Sequence, residues 1–123
     1  MYIDGFLLPV PKKNLPAYRT LARKAAKLWI EHGAIEYREC VGDDLDHGHC
    51  MPFGKLPIIK KGDVVVFSWI LYKSRAHRDR VNKKIMADPR MNAMIPDMNK
   101  APFDFNRMCF GGFKVIVAAQ QKG

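Results

Sequence analysis

The densest run of potential metal ligands is Asp46-His47-Gly48-His49-Cys50, preceded closely by Asp43 and Asp44. Histidine and cysteine are the usual donors to zinc or nickel, and carboxylates can complete such a set. The His-x-His-Cys order lacks the paired spacing of structural zinc sites, and a loop holds its ligands loosely. The expectation is therefore a solvated Asp43 to Phe53 loop without a metal, and no cofactor is expected. Cys40 and Cys109 read as small packing residues rather than nucleophiles. The chain shows no Ser-His-Asp pattern and no phosphate loop. Gly111-Gly112 reads as a bulge or a close backbone approach within a strand.

Acid–base chemistry would draw on more scattered groups. Asp4, Arg38, Glu39, Ser68, Tyr72 and Arg107 are the few polar residues on strands rich in large apolar ones, and Trp29, His32 and His77 stand on helices that could overlook them. Small-molecule sites have this composition, mostly apolar with a few convergent polar atoms. In such a pocket His77 or His32 would be the general base, Arg38 or Arg107 would hold an anion, and Trp69 and Tyr72 would shape the walls beside Asp4. Other readings stay open: His32 beside Gly33 suits a charge partner for a helix C-terminus. His77 suits a half-buried packing role, and Asp4 and Arg107 could simply pair with each other across neighbouring strand edges.

A third kind of chemistry is electrostatic. The 123 residues carry 21 Lys and Arg against 12 Asp and Glu, a formal charge of +9. Lys12, Lys13, Arg19, Arg23, Lys24 and Lys27 follow one another without an intervening acid, and Arg19, Arg23 and Lys27 form an i, i+4 row. Such a surface could bind RNA or an acidic partner. The aromatic-glycine signature of a base-stacking RNA sheet is missing, so a solvated helix face is preferred over nucleic-acid binding.

The elements that position these groups follow from pattern. At 48% apolar residues the chain is neither a charged disordered tail nor, lacking an apolar run of ~20 residues, a membrane-spanning protein. One domain over residues 1–123 is expected. Three cysteines without framework spacing suit the cytoplasm. Tyr2 to Val10 reads as a first strand. Asn14 can cap a helix whose inward positions are Leu15, Tyr18, Ala22, Ala25, Trp29 and His32, and Gly33 ends it. Ala34 to Val41 alternates as a second strand. Gly42 to Gly62 is a long loop with a brief strand expected around Leu56 to Lys60. Val64 to Tyr72 is the strongest strand of the chain. Ser74 can cap a helix through Met86 or Ala87, with His77, Val81, Ile85 and Met86 inward, which Asp88-Pro89 breaks. A short helical piece around Met91 to Met98 and a last strand from about Arg107 to Ala119 complete a ferredoxin-like β-α-β-β-α-β order, an α+β fold.

Two helices can cover one face of a four-stranded sheet, and the other should then be polar. It is not: Val65, Phe67, Trp69 and Leu71 oppose Val64, Val66, Ile70 and Tyr72 in the third strand, and Phe113, Val115 and Val117 oppose Phe110 and Ile116 in the last. A sheet apolar on both faces in so short a chain predicts a homodimer packed sheet to sheet.

Several blocks carry a family resemblance: Tyr2-x-Asp4-Gly5-Phe6, Gly33-Ala34 with Glu39-Cys40, and Val66-Phe67-Ser68-Trp69-Ile70-x-Tyr72. Arg78-Asp79, Met86-x-Asp88-Pro89-Arg90-Met91 and Pro102-Phe103-Asp104-x-x-Arg107-Met108-x-x-Gly111-Gly112-Phe113 extend it over almost the whole chain. Together they resemble the YbaA-like family, domain of unknown function number 1428. The resemblance implies a dimeric α+β barrel, in which two such sheets close against each other with helices outside, and it implies no particular activity. The Asp43 to Phe53 loop does not match a family block. Related α+β barrels include cofactor-free enzymes that use a cavity between sheet and helices, so the leading expectation is a cytoplasmic homodimer that binds or transforms a small molecule there.

Overall fold

The computed structural model describes residues 1–122. Its regular elements are β1 (Tyr2–Pro11), α1 (Leu15–Glu31), β2 (Glu36–Val41), β3 (Asp63–Tyr72), α2 (Arg75–Ala87), α3 (Pro89–Met94) and β4 (Cys109–Lys114). The strands form one antiparallel sheet in the order β2-β3-β1-β4, the ferredoxin-like arrangement expected from the sequence, with α3 as a short addition.

Register decides which side chains meet the helices. Tyr2 lies opposite Tyr72, Asp4 opposite Ile70 and Leu8 opposite Val66, so the even-numbered residues of β1 and β3 share one face. That face is covered by α1 and α2, and its core holds Leu8, Val10, Val66, Ile70 and Tyr72. From α1 come Tyr18, Ala22 and Leu28, and from α2 Val81 and Ile85, four residues apart on one stripe. Complete burial of side chains the size of Val81 and Ile85 contributes about 1.5–3 kcal/mol each.

Helix ends follow local chemistry. The Ser74 hydroxyl accepts the His77 N–H and caps α2. Gly33 takes φ +112° just past α1, where a residue with a Cβ would be strained. Asn14 does not cap α1; its side-chain amide donates to the Pro102 carbonyl instead. Pro16 in the first turn lessens the need for a cap, since it has no N–H to satisfy.

Other expectations are corrected. No strand forms at Leu56 to Lys60. Pro57 interrupts the run between Gly54 and Gly62, and the segment folds as a 3₁₀ turn at Phe53–Lys55 followed by turns. The last strand is shorter than expected, Cys109–Lys114 rather than Arg107 to Ala119. Arg107 ends a 3₁₀ turn, and Lys114 pairs with Tyr2, the first residue of the neighbouring strand. One further bond, Val115 N–H to the Met1 carbonyl, exhausts the partner. Met86 points outward on α2. Cys40 and Cys109 are exposed rather than packed, because their register places both on the face away from the helices.

That second face carries Ile3, Leu7, Phe67, Trp69 and Phe113 around a floor of Gly5 and Gly111, and forms an open apolar trough of about 910 Å³. Phe113 is 63% exposed and Phe67 46%. A Cβ on Gly5 would stand 3.3 Å from the Phe113 ring, so glycine is what lets that ring lie flat across the strand. At Gly112 the close approach is on the other side, where a Cβ would run into the Tyr2 ring.

Candidate functional site

The structure scatters the residues singled out by sequence over several separate places. Asp4 and Tyr72 lie side by side under α2. Asp4, 2% exposed, accepts a 2.8 Å charged hydrogen bond from Arg78, whose guanidinium also covers the Tyr2 ring. Burial pushes the Asp4 carboxyl above its usual value, even against the pull of the Arg78 charge. The Tyr72 hydroxyl is fully buried beside Asp4 without a partner in hydrogen-bond geometry among the described residues; burial first, and then the Asp4 charge, push its ionisation up. The His77 ring stands edge-on to Tyr72, and its Nδ1 accepts the Lys73 N–H at 3.0 Å. These contacts bind α2 to the sheet.

His32 stands apart, at the C-terminus of α1, with Nε2 2.8 Å from Asp88. Asp88 also accepts from the Arg90 side chain and caps α3 by accepting the Arg90 N–H. Side-chain bonds from Arg90 and then His32 hold the Asp88 carboxyl well below the usual carboxylate range. A carboxylate lowered on folding lends stability above its unfolded value near 3.8, and this is lost as pH falls through the folded value. Asp88→Asn is therefore expected to unfold less steeply with acid than the parent, as read by circular dichroism below pH ~4. Equal acid slopes would remove this group from the pH dependence.

Arg38 and Trp69 are on the uncovered face, where Glu36 takes both the Trp69 indole N–H at 2.9 Å and the Arg38 Nε at 3.2 Å. Arg107 lies elsewhere, donating to the Asp63 carboxylate at 2.7 Å and to the Ile58 carbonyl at 2.9 Å. Asp4 and Arg107 thus do not pair with each other. Arg19, Arg23 and Lys27 are exposed on α1. In the Asp43 to Phe53 loop the His47 and His49 rings stack, and His47 Nδ1 accepts the His49 N–H. Among the described residues no three metal-ligating side chains converge.

A cavity of about 130 Å³ does lie between the sheet and α1, and none of His32, His77, Asp4, Arg38, Trp69, Tyr72 or Arg107 lines it. Its polar wall is made by Tyr18, Tyr37, Glu39 and Ser68, and its apolar wall by Leu8, Leu21, Ala25, Phe103 and Met108 among others. Tyr18 donates to one Glu39 oxygen at 2.7 Å and Tyr37 to the other at 2.8 Å. Burial raises both phenols above their ordinary value, and the Glu39 charge raises them further, so at neutral pH both remain protonated donors. Glu39 then keeps one free acceptor position on each oxygen. Such a carboxylate can receive an O–H or N–H from a bound molecule.

Strand alternation puts Tyr37 and Glu39 on the helix side opposite Ile70 and Ser68, and Tyr18 sits on the inward stripe of α1. The sequence reading placed Glu39 and Ser68 among the polar strand residues and Tyr18 on that stripe. The signal it passed over was the i, i+2 pair of Tyr37 and Glu39 facing the same stripe.

Comparison with known proteins agrees with this fold. Residues 1–105 match the family model described as a protein of unknown function, DUF1428. The uncharacterized protein YbaA of Escherichia coli K12 is 42% identical over 116 residues, covering 94% of this chain and 97% of its own, and YbaA of Shigella flexneri matches to the same degree. Among solved structures, an uncharacterized NIPSNAP domain protein from Burkholderia xenovorans superposes with a TM-score of 0.62 at 12% identity, covering 98% of this chain and 100% of its own. A candidate antibiotic biosynthesis monooxygenase from Deinococcus radiodurans does so with 0.56 at 14% identity over 100% of both chains. At such identities these two structures speak for the fold alone.

Proposed function

The chain belongs to the DUF1428 family of proteins of unknown function, and from that premise we propose that it is a homodimer whose subunits each bind a small molecule between sheet and α1. The observation that carries the binding reading is the polar wall of Tyr18, Tyr37, Glu39 and Ser68 facing apolar side chains. This is the makeup of a ligand pocket: mostly apolar, with a few placed polar groups. It also lies under one face of the sheet, so a partner on the opposite face would leave it untouched.

The dimer reading rests on the uncovered face. Its exposed phenylalanines and the apolar trough between them form a continuous apolar surface of the kind that marks a protein contact. The occupant proposed is a second copy of the same face. Glu36 and Arg38 give that face one charge of each sign beside Trp69, so a twofold can match them without stranding a charge. Beyond Lys114 the chain leaves the sheet with Ile116 89% and Val117 83% exposed, and these add apolar surface beside the trough.

Native mass spectrometry of gently purified protein, beside a denatured sample, tests both halves. The expected result is a dimer carrying a small mass that is lost on denaturation. Ser68→Leu, which narrows the cavity, is expected to lose that mass and keep the dimer. A clean dimer without a passenger would overturn the binding half, and a clean monomer would overturn the barrel assembly.

A further inference from the structure

We infer that the inner cavity continues, past the Tyr18–Glu39 hydrogen bond, into a hollow between α1 and β2, and that the joined site takes a small organic acid. This rests on the ligand-cavity reading above and adds the ligand's chemistry and orientation. The outer hollow measures about 280 Å³ and shares Tyr18, Ala22, Tyr37 and Glu39 with the inner one. One hydrogen bond, 2.7 Å from the Tyr18 hydroxyl to Glu39, thus belongs to the walls of both spaces. Neither space alone reaches the ~300 Å³ at which ordinary ligand pockets begin, and joined they do.

The polar groups are ordered along this path. The Ser68 hydroxyl lies at the inner end, with the Glu39 carboxylate beside it at the join of the two spaces. At the outer end Arg19 and Arg23, one helical turn apart on α1, line the hollow. Neither forms an ion pair with an acid among the described residues, as Arg38, Arg78, Arg90 and Arg107 do and Arg75 and Arg80 do not, so both guanidiniums keep their donors for an anion. Between the two ends the wall is apolar, Ala22 and Ala26 of α1 against Val41 and Val66 of the strands. The two alanines keep the helix from filling the space.

A ligand matching this order has an anionic head at the arginines, an apolar or aromatic body against the alanines, and an uncharged O–H or N–H at the inner end. The reverse orientation would set the anion against Glu39, where like charges repel. A carboxylate suits the mouth because a guanidinium binds it through two parallel hydrogen bonds. A nucleotide fits poorly, since its sugar hydroxyls would lie unpaired against the valines and alanines.

The probe pair is 4-hydroxyphenylacetate and its neutral methyl ester, titrated into ¹⁵N-labelled protein while the amide signals of Tyr18, Arg23, Tyr37 and Ser68 are followed. The acid is expected to shift these signals saturably and to bind at least tenfold more tightly than the ester. The doubly substituted Arg19→Gln, Arg23→Gln protein has changes only on exposed positions. It is expected to abolish the acid's advantage and leave the ester's affinity unchanged. Equal affinity of acid and ester for the parent would overturn the organic-acid inference while leaving the cavity reading in place. Failure of both compounds to shift these signals would overturn the two together.

Discussion

Phe113→Glu is expected to turn the protein from a dimer into a monomer at concentrations where the parent is fully paired. The ring is 63% exposed in a single subunit and lies across Gly5 on the uncovered face. Its replacement therefore removes little from the fold of one chain. In a sheet-to-sheet dimer the same position is desolvated, and an uncompensated buried charge costs about 3–5 kcal/mol. Twofold symmetry counts that cost twice, which raises the dissociation constant by at least about 10⁴-fold. Light scattering coupled to gel filtration reads the change, and unchanged far-ultraviolet circular dichroism would show the monomer still folded. Phe113→Leu keeps the face apolar and is expected to remain dimeric. A parent that is monomeric, or a glutamate variant as dimeric as the parent, would sink the assembly.

The second large effect is expected within one subunit. Arg78→Met keeps most of the side chain's apolar stem but leaves Asp4 buried without its cation. Loss of one member of a buried pair costs about 3–5 kcal/mol, equivalent to roughly 10–20 °C in a chain of this size at fixed protein concentration. The loss has a pH signature. Burial already lifts the Asp4 carboxyl above 3.8 in the folded protein, and without Arg78 it rises further. The folded state then retains a proton that the unfolded state has released, so stability falls as pH rises above ~3.8. The deficit of Arg78→Met is accordingly smallest in acid. Adding Asp4→Asn removes the stranded charge and is expected to recover part of the loss at neutral pH. If the double variant is no more stable than Arg78→Met, the ion pair is not what that residue supplies.

The contrast between these two positions reflects what a sequence can disclose. The uncovered face was readable because β3 is apolar at every alternate set, Val64, Val66, Ile70 and Tyr72 as well as Val65, Phe67, Trp69 and Leu71, and a two-residue period assigns faces without knowledge of neighbours. The course of α1 was readable for the same kind of reason, from its inward stripe and from Gly33. Partners across the fold were not. Asp4 could have met Arg107, but register places Asp4 under α2, where Arg78 arrives 74 residues later, while Arg107 reaches Asp63. His32 and His77 stand out as the residues best suited to proton transfer, yet their partners are Asp88, a backbone amide and the Tyr72 ring. The Tyr18–Glu39–Tyr37 group depended on a tertiary distance between α1 and β2 that no spacing encodes. The end of β4 was missed because Val115 to Ala119 has strand composition, whereas pairing depends on where the neighbouring strand stops.

The position of β1 in the sheet has a consequence for how the chain reaches this state. Of these four strands the first made is an inner one, bonded to β3 on one side and to β4 on the other. Its β4 side therefore cannot be paired until residues 109–114 exist, almost a full chain length later. During synthesis the growing chain carries an incomplete sheet in which β1 is an open edge, flanked by the uncovered apolar face. Pairings so distant along the chain fold slowly, and an unpaired edge invites strands from other molecules. The interval between the emergence of β1 and that of β4 is thus when this protein is most exposed to aggregation, and when a holding chaperone would help it most.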